Sequence, residues 1–176
     1  EPGVQHSGLH RVEGGLDLSV RLDLEASPPV EDALLKGVPI YFVWQADEVR
    51  ERWYWTDKRI SQAPRTLRLV YQPLTRRWRV SLATDAAASA AGLQYALHQS
   101  FDSLPEALAG VSRVAGWRIT ERGRLEDGVK YLARWRFRLD LSLLPRPFQL
   151  GMANQPEWTV EGQREMDVPA RDDAES

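Results

Sequence analysis

The sequence predicts a mainly β fold: an antiparallel β-sandwich, immunoglobulin-like or an open barrel, with two short helices. Three stretches predict it. Leu16, Leu18, Val20, Leu22 and Leu24 alternate with Asp17, Ser19, Arg21, Asp23 and Glu25. Leu67, Leu69 and Tyr71, then Trp78, Val80 and Leu82, alternate on either side of Pro73-Leu74-Thr75-Arg76-Arg77. Tyr131, Ala133, Trp135, Phe137, Leu139 and Leu141 alternate with Leu132, Arg134, Arg136, Arg138 and Asp140. A period of two sends one set of side chains into a core and leaves the other in water. Such alternation, rather than all-apolar strands, argues against a parallel α/β sheet.

Residues 1–8 read as a flexible lead, followed by one sandwich domain over 9–169. Ser27-Pro28-Pro29 ends the first regular strand. Val30 to Lys36 then reads as a short helix, with Glu31 and Asp32 in its first turn and Gly37 as its C-terminal cap. Val38 to Trp44 is a near-continuous apolar run, a strand covered on both faces at its start and continuing towards Val49. Pro39 fits only the entry or an edge of that strand. Trp53-Tyr54-Trp55 reads as another strand and Thr56-Asp57-Lys58 as a turn. Residues 66–72 and 78–82 form a hairpin.

The alanine-rich stretch 85–92 reads as a loop, and Leu93 to Ser100 as a short strand. Ser103-Leu104-Pro105-Glu106 is a helix start: a capping serine, a proline in the first turn, and a glutamate three residues on. Leu104, Leu108, Val111 and Ala115 mark one helical face, and Gly116 ends it. Trp117 to Thr120 reads as strand. After the 131–141 strand, the prolines of Leu144-Pro145-Arg146-Pro147-Phe148 exclude regular structure. Trp158 to Val168 closes the sheet, and residues 170–176 read as a disordered acidic tail.

Composition narrows the function classes. A chain of 176 residues fits one domain that buries most of its unfolded surface. A formal charge of −2 supplies no long-range field for nucleic acid. The lack of cysteine excludes disulfides, thiolate zinc sites, iron–sulfur clusters and cysteine nucleophiles. It suits an oxidising periplasm as well as a cytosol. No apolar run reaches the roughly 20 residues of a spanning helix. A start at Glu1 rather than methionine reads as a processed or trimmed product.

Motifs for chemistry are sparse. His6 and His10 lie in or near the lead without helical metal-site spacing, and neither metal nor cofactor is expected. His98, beside Gln99, Ser100 and Phe101, would need partners to act as a base. Otherwise it is a hydrogen-bonded histidine at a strand edge. Glu48, Glu51 and Asp57 lie near Trp53-Tyr54-Trp55. Paired carboxylates beside aromatics hydrolyse or bind sugars, though surface carboxylates near half-buried tryptophans make the same pattern. No GxGxxG, GxxxxGK[ST], GxSxG or HExxH occurs. The expectation is a chain without a catalytic site.

The candidate binding residues are Arg76, Arg77 and Arg79 at the hairpin, Arg134, Arg136 and Arg138 opposite Trp135 and Phe137, and Trp53 and Trp55. Arg65 and Arg68 lie on the other hairpin strand. Were these strands neighbours, they would form an arginine-rich face for an anionic partner, a lipid headgroup or an acidic protein segment. A solvated face, its arginines paired with Glu and Asp of adjacent strands, fits the same pattern. Residues 144–149 read as a docking loop or as a rigid crossover.

Several strings occur together in one order: Gly37-Val38-Pro39-Ile40-Tyr41-Phe42, Arg52-Trp53-Tyr54-Trp55, Arg68-Leu69-Val70-Tyr71-Gln72-Pro73-Leu74-Thr75-Arg76, Gln99-Ser100-Phe101-Asp102-Ser103-Leu104-Pro105-Glu106-Ala107-Leu108, and Arg138-Leu139-Asp140 through Leu144-Pro145-Arg146-Pro147-Phe148. Together they resemble an uncharacterised proteobacterial family, catalogued only as a domain of unknown function. The likeness runs from about the first strand to about Trp158. It implies an exported protein whose precursor carries an N-terminal signal or anchor. It also implies a gene often found beside an NtrY-like sensor histidine kinase and its response regulator, and it transfers no catalytic residues.

The expectation is thus a periplasmic, non-catalytic binding or interaction module, accessory to a membrane sensor histidine kinase through its extracytoplasmic segment. The rival readings are a lipid or small-hydrophobe carrier and an envelope glycan hydrolase acting through Glu48, Glu51 or Asp57.

Overall fold

The computed structural model describes residues 2–50, 60–61, 64–83, 95–152 and 155–173. Among them, strands assemble into two antiparallel sheets that do not close into a barrel. The small sheet has the order β1-β2-β8: β1 is Gly3–Val12, β2 Gly15–Asp23 and β8 Arg113–Thr120. The large sheet has the order β10-β9-β3-β5-β6-β7. Its strands are β3 (Ile40–Arg50), β5 (Arg65–Gln72), β6 (Arg77–Ala83), β7 (Ala96–Phe101), β9 (Tyr131–Leu139) and β10 (Glu161–Asp167); β4 (Ile60–Ser61) also pairs with β3. Helices α1 (Pro28–Leu35), α2 (Leu104–Val111) and α3 (Arg146–Met152) sit in the connections.

Each stretch of two-residue alternation is a strand, and its apolar set points inward. In β2, Leu16, Leu18, Val20 and Leu22 are buried. They meet Phe42 and Trp44 of β3, and Trp135 and Phe137 of β9, in one core shared by both sheets. Phe42 stacks on Phe137 at 5.6 Å, and Trp44 tilts on Phe137 at 4.7 Å. The two buried indoles find acceptors across the sandwich. Trp44 Nε1 donates to the Val111 carbonyl at 2.9 Å, and Trp135 Nε1 to Ser7 Oγ at 3.0 Å. Without them each N–H would be a buried donor with no partner.

Several sequence expectations are corrected. The lead is ordered: from Gly3 it is β1, paired with β2 along its length apart from a bulge between Val4 and His6. As the outer strand of the small sheet it buries little apolar surface, so its own sequence lacks the alternation that marks β2. A two-residue turn joins the pair, and both Glu13 (φ 51) and Gly14 (φ 73) are left-handed, as a tight hairpin requires.

The helix read to Ala115 ends at Val111. The Ser103 hydroxyl accepts from Glu106 N at 3.3 Å, as expected of the cap. The stop lies in Ser112, whose hydroxyl donates to Leu108 O at 2.7 Å and to Leu22 O at 3.2 Å. That bond stitches the chain to β2, and Val114 then pairs with Val20. Gly116 (φ 58) serves the β8 irregularity rather than a helix end.

The two prolines after β9 do not prevent helix. Pro145 precedes α3 and Pro147 is its second residue, where a missing N–H has no partner to lose. Likewise Pro28 and Pro29 begin α1 rather than only ending β2.

The tail is held as far as it is described. Arg11 is 1% exposed, and its guanidinium donates to Pro169 O at 2.8 Å and lies 3.4 Å from both Asp127 and Asp172. Asp173 N donates to Arg11 O at 2.7 Å, and its carboxylate pairs with His10. Residues 169–173 thus form a strap along the free side of β1. The strand read at 53–55, the loop at 85–92 and residues 174–176 lie outside the described residues.

Candidate binding surface

Arg134, Arg136 and Arg138 of β9 alternate with the core residues Trp135 and Phe137, so they stand on the outer face of the large sheet. Each has an acidic neighbour. Arg134 lies 3.4 Å from Asp47 of β3 and 3.8 Å from Glu165 of β10. Arg136 Nε donates to Glu161 at 2.6 Å, and Arg138 lies 3.3 Å from Asp140. These three are the solvated, charge-paired face that the sequence left open.

The hairpin half of the same face differs. β5, β6 and β7 contain four arginines and one histidine but no aspartate or glutamate. Arg68, Arg77 and Arg79 share the outer face, since Leu67, Leu69, Trp78 and Val80 take the inner one. Arg77 reaches Asp102 beyond the end of β7, at 3.6 Å. Arg68 and Arg79 meet no carboxylate among the described residues. Arg76 sits in the hairpin turn at φ 55.

Arg68 is positioned by aromatics. It lies opposite Tyr41 on one side and Ser81 on the other. Its guanidinium carbon sits 4.1 Å above the Tyr95 ring, and Tyr95 packs 6.4 Å from Tyr41. Stacking holds the planar fork in place. Arg68 Nε and the Tyr95 hydroxyl are both buried without a hydrogen-bond partner. Burial first, then Tyr41, pushes the Tyr95 phenol up, against the lowering effect of Arg68.

The two arginine groups therefore lie on one face but are not adjacent. β3 and β5 separate β9 from β6, about 14 Å of sheet at the usual strand spacing. Arg65 leaves the group altogether. Three residues before Arg68, it points to the inner side, over the Trp117 ring at 5.6 Å, where burial lowers its pKa. Trp53, Trp55, Glu51 and Asp57 lie outside the described residues.

Glu48 faces inward and is 2% exposed; Thr120 Oγ1 donates to it at 2.5 Å. Burial pushes its carboxyl above the ordinary 4.5, against lowering effects of the Thr120 hydrogen bond and Arg124. Below that ordinary value both folded and unfolded chains hold the proton. As pH rises through it the unfolded chain ionises first, and stability falls until the folded carboxyl has also ionised. Glu48→Gln keeps an acceptor for Thr120 and removes the charge. It should raise the urea midpoint at neutral pH and change it little below roughly pH 4. A larger gain in acid than at neutrality would reverse the sign of this account.

His98 Nδ1 is 2.6 Å from Ser81 Oγ, which is 1% exposed, so that serine is shielded rather than presented to solvent. Among the described residues no group of three or more His, Asp and Glu side chains converges for a metal. A cleft of about 780 Å³ is lined by Arg21, Arg65 and Arg113 but also by Asp23, Glu25 and Glu106, so its charges balance. A second groove of about 700 Å³ is more apolar, with Val38, Pro39 and Tyr41 on one wall and Leu143, Leu144 and Phe148 on the other.

Sequence reasoning missed the part played by Tyr41 and Tyr95. Nothing local links them to Arg68; only the strand order does. A family model described as Domain of unknown function (DUF4390) matches residues 3–166. No curated protein and no solved structure matches the chain.

Proposed function

We propose, from the premise that this chain belongs to the DUF4390 family of domains of unknown function, that it is a periplasmic interaction module accessory to a membrane sensor histidine kinase. Its binding face is the outer face of β5, β6 and β7. Its ligand is an acidic stretch in the extracytoplasmic part of that kinase. The compartment and the kinase rest on the resemblance carried by the five strings above.

One observation carries the face: among the described residues each arginine of β9 has an acidic partner, whereas Arg68 of β5 and Arg79 of β6 have none. Unpaired arginines on one surface are poised for carboxylates, which they bind in a two-pronged geometry. Arg68 is already stacked on Tyr95, so less rotamer freedom is lost on binding. Attraction of this kind speeds encounter and weakens with salt.

The test titrates the purified extracytoplasmic segment of the neighbouring kinase into the protein. Arg68→Glu with Arg79→Glu should weaken binding at least about tenfold, a loss of about 1.4 kcal/mol. Arg134→Glu with Arg136→Glu should change it little, because those arginines already have partners. No binding of the parent protein at high micromolar concentration, or equal losses in both variants, refutes the proposal.

A further inference from the structure

One end of the large sheet gathers features that the outer face does not explain. Pairing places the start of β3, the end of β5, the start of β6 and the end of β9 together there. Three connections therefore meet at that end: residues 36–39, the hairpin turn 73–76, and the segment 140–148 leading into α3. Large apolar side chains exposed among the described residues are Leu35 (47%), Leu74 (100%), Leu97 (77%) and Phe148 (38%). All but Leu97 belong to this end.

Cations accompany them. Lys36 adjoins Leu35, Arg76 is two residues from Leu74, and Arg146 is two residues from Phe148. Arg76 and Arg146 meet no carboxylate among the described residues, while Asp32, Asp102 and Asp140 nearby are already paired with Lys36, Arg77 and Arg138. Arg76 also occupies a left-handed turn position (φ 55) that glycine would fill without strain.

The segment beneath Phe148 is rigid. The Asp140 carboxylate accepts from Ser142 N at 3.0 Å and from Ser142 Oγ at 2.6 Å. The Gln149 amide donates to Leu144 O at 2.5 Å and to Ser142 O at 3.2 Å. Phe148 therefore projects from a firm support rather than a loose end.

We infer that this end of the sandwich seats on an anionic lipid surface. Leu74, Phe148 and Leu35 enter the boundary of the acyl chains, and Arg76 and Arg146, which have no carboxylate partner among the described residues, meet lipid phosphates. A bilayer accepts apolar wedges that project singly from separate connections, whereas a protein partner would have to match their shape. Alternation of wedge and cation is the arrangement that interfacial binding uses. This inference is independent of the proposed kinase contact, and it leaves the β5–β7 face pointing sideways.

The test is co-sedimentation with phosphatidylglycerol-containing vesicles and with pure phosphatidylcholine vesicles. The chain has no cysteine, so Leu74→Cys gives a single attachment point for an environment-sensitive dye. The protein should sediment with the anionic vesicles, and the dye should shift to the blue on binding. Leu74→Asp with Phe148→Asp should weaken binding at least about tenfold. Leu97→Asp, at a leucine that is 77% exposed elsewhere, should leave it unchanged. The inference is overturned if the parent protein stays in the supernatant or the dye does not shift. It is equally overturned if Leu97→Asp loses as much as the double variant, or if the double variant binds like the parent. The last result would mean adsorption through the arginine face. Far-UV circular dichroism confirms that each variant is folded.

Discussion

Trp44→Ala should remove about 3–5 kcal/mol of folding stability through the lost side chain and the cavity left behind. Trp44 is wholly buried at the middle of β3, against Trp135 at 5.7 Å and Phe137 at 4.7 Å. Its indole also satisfies the carbonyl of Val111, the last residue of α2. Truncation leaves that carbonyl buried and unpaired, which adds about 1–3 kcal/mol. A domain of ordinary stability holds only about 5–15 kcal/mol in total, so the variant should be largely unfolded at modest urea. Trp44→Phe separates the two effects, since it fills most of the volume but cannot donate. Urea unfolding followed by far-UV circular dichroism measures both. A Trp44→Ala midpoint close to the parent's would mean that the core is not packed as described.

Gly15→Val should be the most damaging change of similar kind in the small sheet. A Cβ at Gly15 would come 2.8 Å from Thr120 O, 3.0 Å from Arg122 N and 3.1 Å from Arg122 Cα. All three are backbone atoms, so no side chain can swing aside. β2 and the end of β8 would have to part, loosening the bonds from Gly123 N to Glu13 O and from Leu125 N to Gly14 O, both 2.9 Å. Forced displacement of packed backbone typically removes about 1–3 kcal/mol, and the branched side chain puts this site at the upper end. Gly3→Val, where a Cβ meets nothing within 4 Å, is the control. Amide exchange at residues 13–16 and 120–125 should rise in the first variant and not in the second. Unchanged protection in Gly15→Val would show that the close approach is not rigid.

The fold was legible wherever one strand carried its own alternation. β2, β5, β6 and β9 each bury one side in the common core, and each displays a period of two. β1 was illegible because its place comes from pairing with β2 and from the strap, not from an apolar face of its own. The region 111–116 misled because Val111 and Ala115 are spaced for a helix, while the interaction that stops it runs from Ser112 to Leu22, 90 residues away. The candidate surface was legible in its charges but not in their pairing. Arg134 and Arg79 look alike in the sequence. Only the strand order shows that one faces Asp47 and the other faces Val70 and Ser100.

The strap over Arg11 sets a timetable for biosynthesis. The arginine is made early, and the Pro169 carbonyl that receives it follows 158 residues later. Until then its guanidinium has no acceptor there and favours water over burial. The first hairpin therefore cannot close fully around Arg11 until residues 169–173 have been made.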